Sequence, residues 1–109
     1  MGLEEKTCTP CRGGVPPLEK AEIETLMASV KAWRYLTGPD RIERRYTFKN
    51  FKDALAFVNR VAALCEEQGH HADIRFGWGY AEVEFYTHKI KGLHENDFIM
   101  AARCEGLYS

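Results

Sequence analysis

The chain has 109 residues, 45% of them hydrophobic and 28% charged, with a formal net charge of −1. That is the size of one domain, burying roughly 65% of its unfolded surface around a single core. The near-neutral balance supplies no bulk attraction to nucleic acid or acidic membranes, and no apolar run approaches the ~20 residues that span a bilayer.

Residues 1–17 contain Pro10, Gly13, Gly14, Pro16 and Pro17 and little apolar content. They are expected to form an arm, mobile or laid across the surface, ahead of a single domain at 18–109. The arm carries Cys8 and Cys11 as a CTPC pair. Such a pair supplies two of the four ligands of a structural zinc, and no strand leads into it as a redox motif requires. The N-terminus lacks the apolar centre of a signal peptide, so the expectation is a cytoplasmic protein with reduced thiols.

After the double proline, Ile23, Leu26, Met27 and Val30 recur at the spacing of one helical face, and Glu19 and Glu22 suit a helix start. A helix over 18–32 is predicted. Gly38-Pro39-Asp40 is a turn signal between segments 33–37 and 42–48, which read as a hairpin. The run Arg41 to Arg45 is broken by Ile42 and Glu43 and reads as a solvated strand face. A strong helix follows over 50–68, with Asn50 at the N-cap and Asp53 three residues on. Phe51, Ala54, Leu55, Val58, Val61, Ala62 and Cys65 make its apolar stripe, and Phe57 and Leu64 widen it. The surplus suggests that this helix also meets another subunit. Gly69 stands where a left-handed cap belongs. Strands over 74–78 and 80–88 come next, the second alternating Ala81, Val83, Phe85 and Thr87 with Glu82, Glu84, Tyr86 and His88. A last helix spans 95–105, with Gly106 as its stop and Asp97 at N3 opposite His94 at the N-cap. Cys65 and Cys104 fall in apolar-periodic segments and read as core. The predicted fold is α+β, in the order α-β-β-α-β-β-α, with helices on one face of a four-stranded antiparallel sheet.

The stretch EEQGHHAD, residues 66–73, holds two of the four histidines side by side at a helix exit. Each alone could cap helix carbonyls, and His88 alone could be a polar strand end. Taken over the whole span from Glu66 to Asp97, the pattern resembles the signature of the pterin-4a-carbinolamine dehydratases. Glu66, His70, His71, Trp78, His88 and Asp97 fall on that signature, while Ala72 stands where proline is usual. The likeness runs on through YTFKNFKDALAFVNRVA and THKIKGLHENDFIMAA, and to Trp33 and CRGGVPPL near the start. It implies an enzyme that dehydrates 4a-hydroxytetrahydrobiopterin or a related pterin, regenerating the cofactor of aromatic amino acid hydroxylases. It implies no metal and no further cofactor, with His70, His71 and His88 as the catalytic residues. Substrate contacts are implied for these three and for Gly69, Tyr86 and Thr87, with Trp33, Glu66 and Asp97 as further candidates. Trp33 reads first as core and otherwise as an aromatic that stacks on the pterin ring, Asp97 as a helix cap, and Glu66 as a solvated residue or a histidine partner.

The chemistry calls for such groups independently. Losing water from C4a needs a proton delivered to the departing hydroxyl and one removed from N5. Histidine titrates in the range where a general acid or base works best. His70 and His88 are assigned as the proton-transferring pair, and His71 as the residue that orients the pterin or holds the hydroxyl. Three rivals remain. A zinc site on the three histidines is awkward, because neighbours in an extended segment point to opposite sides. An interaction module is the second, because animal members of the family also act as dimerisation cofactors of a homeodomain transcription factor through the equivalent of helix 50–68. The third is a pterin-binding paralogue serving, for example, molybdopterin-related metabolism. Expected partners are a small pterin and a second copy, in a homodimer or homotetramer formed through helix 50–68 or a sheet edge, with a transcription factor or hydroxylase as a further candidate and no direct nucleic-acid or membrane contact.

Overall fold

The computed structural model describes residues 2–9 and 15–108. Three helices and four strands follow the predicted order: α1 (Lys20–Met27), β1 (Arg34–Leu36), β2 (Arg41–Thr47), α2 (Phe51–Gln68), β3 (Asp73–Gly77), β4 (Tyr80–Phe85) and α3 (Glu95–Leu107). All strand pairs are antiparallel, in the sheet order β1-β2-β4-β3. The two hairpins therefore join along β2 and β4, where Ile42 lies opposite Phe85 and Tyr46 opposite Ala81. Ile42, Tyr46, Ala81, Val83 and Phe85 are fully buried beneath the helices.

The opposite face of the sheet carries charge. Glu43 and Glu84 sit directly across from each other, a repulsive arrangement taken alone. Arg34 bonds Glu43 at 2.5 Å and Arg41 bonds Glu84 at 2.7 Å, which removes the conflict. Glu82 is held between Arg45 and Arg75, and the Arg75 guanidinium keeps its carboxyl below the usual range. Arg41 and Arg45 thus serve on a solvated strand face, whereas Arg44 alternates onto the helix side, a correction to the expected run: it pairs with Glu105 of α3 and lies over the Tyr46 ring.

The strand ends of β1, β2 and β3 shift by single residues, and four boundaries differ from the sequence reading by more than that. Helix α1 is shorter than 18–32. At its start the Leu18 N–H donates to the Leu93 carbonyl, so that residue is outside the helix. At its end the backbone tightens to three-residue bonds at Ser29, Val30 and Trp33, which turns Val30 and Trp33 into the core. Strand β4 stops at Phe85 instead of 88. Thr87 pairs with Gly92, closing a short 3-10 turn over His88–Ile90, so His88 stands on a tight loop. Helix α3 runs past Gly106 to Leu107, because Tyr108 caps it and its hydroxyl donates to the Thr47 carbonyl.

A further correction concerns α2. Ala54, Phe57, Val61, Leu64 and Cys65 form its buried face. Phe57 and Leu64 are therefore core, and the surplus lies at Phe51, Leu55, Val58 and Ala62. Phe51 is 46% exposed and Leu55 38%. The helix begins as predicted, with Asn50 Oδ1 accepting the Asp53 N–H at 2.8 Å.

Candidate active site

The site is built where α2 ends. Gly69 takes a left-handed conformation (φ 65°), and the next amide, of His70, returns to the Cys65 carbonyl at 3.2 Å. This C-terminal cap reverses the chain within one residue. It drives the His70 ring inward, where its side chain is 10% exposed and stacks on Phe85 with 6.1 Å between centroids. His71 follows and points outward, its Nε2 bonded to the Glu66 carboxylate one turn back on α2.

Asp97 lies beneath His70 and is fully buried. Its Oδ2 accepts the Thr87 hydroxyl at 2.8 Å and the His94 N–H at 2.9 Å, while Oδ1 lies 2.6 Å from His70 Nε2. Taken as a carboxylate, Asp97 accepts at both oxygens, including from His70. The hydrogen is therefore on His70 Nε2, and a neutral ring leaves its Nδ1 lone pair as the free base. His94 completes the capping box: its Nδ1 accepts the Asn96 N–H at 3.0 Å.

A cleft of about 290 Å³ opens over this pair, lined by Gly69, His70, His71, Ala72, Asp73, Tyr86, Thr87, His88 and Lys89. Its size falls near the lower end of small-molecule sites, which run upward from ~300 Å³. The helix exit supplies one wall and the turn after β4 the other. His88 leans on Tyr86 with ring centroids 4.0 Å apart, and its Nε2 is 3.7 Å from Asp73 Oδ2. The cleft thus holds one buried imidazole fixed by a carboxylate and two open ones, each beside an acid. Such a set can give and take protons at separate points on one flat ligand.

The sequence candidates divide accordingly. Gly69, His70, His71, Tyr86, Thr87 and His88 all line the cleft. Asp97 supports it from below and Glu66 from outside. Trp33 does neither. It is 3% exposed, its indole N–H donates to Glu105 at 3.1 Å, and its ring packs on Phe85 and Tyr46. It reaches the site only through Phe85, so the stacking role is corrected to a core role. Trp78 is 71% exposed at the tip of the β3–β4 turn, away from the cleft. Asp73 and Lys89 also line the cleft but carry no distinguishing mark in the sequence beyond adjacency to Ala72 and His88. Asn96 and Gln68 are equally unmarked, since their partners lie 60 or more residues away.

Among the described residues, no group of three or more His, Cys, Asp or Glu side chains is arranged to hold a metal ion. Cys11, half of the CTPC pair, lies outside the described residues. Cys8 is half-buried, and burial followed by the nearby Asp97 charge pushes its thiol up to about 11. Cys65 and Cys104 are buried free thiols whose pKa values are raised by burial. None of the three described thiols is primed as a thiolate nucleophile.

The comparisons with known proteins agree with one another. A family model described as pterin 4 alpha carbinolamine dehydratase matches residues 16–107. A relative from Cupriavidus pinatubonensis, named "Putative pterin-4-alpha-carbinolamine dehydratase 1", is 56% identical and covers 96% of this chain and 90% of its own. One from Methylococcus capsulatus, similarly named, is 52% identical over 96% of this chain and 92% of its own. Among solved structures, a transcriptional coactivator/pterin dehydratase from Brucella melitensis superposes with a TM-score of 0.80 at 25% identity, over 85% of this chain and 99% of that one. A pterin dehydratase-like protein identified as a RuBisCO assembly factor in the alpha-carboxysome gives 0.62 at 30% identity, over 72% and 93%.

Proposed function

Because the chain belongs to the pterin-4a-carbinolamine dehydratase family, we propose that it removes water from 4a-hydroxytetrahydrobiopterin, or a closely related 4a-hydroxypterin, in the cleft beside His70. The observation that carries this reading is the convergence of His70, His71 and His88 on one cavity from two separate elements. The N5–H proton passes to an imidazole, and the N5 electron pair forms the N5=C4a bond. The C4a–O bond breaks, and the hydroxyl takes a proton from a second imidazole and leaves as water. The products are the quinonoid dihydropterin and a proton-shifted histidine pair, which resets through solvent.

His70 suits the base, since its Nε2–H is held by Asp97 and its Nδ1 pair is free. His88 suits the acid, since its exposed ring exchanges protons readily with water. His71, tied to Glu66, orients the ring. In this reading the enzyme regenerates the cofactor spent by aromatic amino acid hydroxylases. Stopped-flow absorbance on chemically generated carbinolamine tests it. Wild type should accelerate dehydration, and His88→Ala should lose roughly 10²–10⁴-fold in rate with an unchanged circular dichroism spectrum. A wild type no faster than buffer, or a fully active His88→Ala, overturns the assignment.

A second reading is favoured by the exposed apolar stripe of α2 and by the coactivator and assembly-factor names of the structural neighbours. It gives the chain an interaction role through that stripe, first with a second copy of itself. The two readings use different faces and are compatible.

A further inference from the structure

Residues 2–9 precede the segment matched by the family model, yet they are bound into the site's foundations. Leu3 is buried in a short 3-10 turn, Leu3–Glu5, that packs on α3. Lys6 pairs with Glu95 at 2.8 Å. The Cys8 N–H donates to Gln68 Oε1 at 2.8 Å. Asn96 then grips the Thr9 backbone at both its polar groups, with Oδ1 accepting the Thr9 N–H at 3.0 Å and Nδ2 donating to the Thr9 carbonyl at 2.7 Å. The Cys8 thiol adds a weak bond to the Asn96 carbonyl at 3.9 Å.

The places where these bonds land are informative. Gln68 is the last residue of α2, two before His70, and Asn96 immediately precedes Asp97. The strap therefore joins the end of the helix that delivers the imidazole to the start of the helix that delivers its carboxylate. Elsewhere between these two helices the polar ties are long ones, Arg103 to Glu67 at 3.4 Å and Arg60 to the Leu107 carbonyl at 3.3 Å. Asn96 is almost fully buried, and both ends of its amide are spent on Thr9. A buried amide with both ends satisfied by one residue's backbone fixes that residue in place.

We propose that Asn96 and Gln68 are positioning residues, and that the N-terminal strap they hold keeps His70 and Asp97 in register for catalysis. The inference rests on the dehydratase reading for its kinetic consequence alone, since the geometry of the pair can be read without substrate. The full-length chain carrying Asn96→Ala or Leu3→Ala tests it. The first removes the clamp and leaves a good helix former in α3; the second loosens the strap without touching a hydrogen bond of the site. Nitrogen-15 NMR of the His70 ring reports which nitrogen carries the hydrogen. Wild type should show a single Nε2–H form, and both variants a mixture. The kcat should fall roughly 10- to 100-fold, as small displacements of catalytic groups do, with KM within about twofold. Val61→Ala, a buried α2 substitution away from the strap, is the control and should keep the single form. The proposal is overturned if Asn96→Ala or Leu3→Ala keeps one tautomer and full kcat, or if Val61→Ala mixes the tautomers equally. A wild type without dehydratase activity would overturn the function alone, because the tautomer result still decides the strap.

Discussion

Asp97 serves the fold and the candidate chemistry with the same carboxylate. One oxygen caps α3 through the His94 N–H and takes the Thr87 hydroxyl, and the other holds His70. Of the two readings open from sequence, the cap is present in these contacts, and on the site side the carboxylate reaches His70 while not itself lining the cleft. Asp97→Asn separates charge from shape. An amide can accept on one side only, so one or more of the three donors must face an NH₂ group. Stability should fall by about 1–3 kcal/mol in urea denaturation, the usual cost of leaving a buried partner unpaired. The kcat should fall at least tenfold, because the His70 tautomer is no longer enforced. A variant with wild-type kcat would show that the carboxylate is a cap alone. The capping pair His94–Asp97 was legible because its members are three residues apart on one helix. Trp33 was not. Its partner Glu105, which also accepts from Arg44 and Tyr46, stands 72 residues away, and nothing local distinguishes an indole that packs on Phe85 from one that stacks on a ligand.

At the scale of elements, the turn from α2 into His70 depends on one backbone conformation. Gly69 at φ 65° has open space where a Cβ would stand. Gly69→Ala therefore meets no clash and bears only the left-handed penalty, about 1–2 kcal/mol. The expected outcome is that loss in urea denaturation together with a lower kcat, since any relaxation of the turn swings His70 off Asp97. An unchanged midpoint would mean that the left-handed turn is not enforced. The cap was visible from the position of Gly69 after a periodic apolar run. Which face of α2 it closed was not visible. The helix carries two apolar rows at helical spacing, and periodicity cannot rank them. The Phe57–Val61–Leu64 row lies on the sheet and α3, leaving Phe51, Leu55 and Ala62 of the other row outside and Val58 half-buried between them.

For the whole molecule, that outer row and the open sheet face pose opposite problems. The sheet face is charge-paired and well solvated. The α2 row places Phe51 against the partly buried Phe76 of β3 and leaves Phe51 and Leu55 exposed, a patch that favours association. Among the described residues no helix is long and apolar enough to cross a membrane, and the proposed occupant of the patch is a second copy. Phe51→Glu with Leu55→Glu should lower the mass measured by sedimentation below that of wild type while sparing the cleft; an unchanged mass places any self-contact elsewhere. By itself the sequence determined the element order, the antiparallel hairpins, the α2 start and stop, and the family, because these depend on local periodicity, turn residues and fixed spacing. Only the tertiary structure decided which α2 face is core, that β4 gives way to a turn at His88, and that Gln68, Asn96 and Asp97 join distant segments around His70. Those outcomes come from long-range pairing and close packing, and one-dimensional spacing carries no record of either.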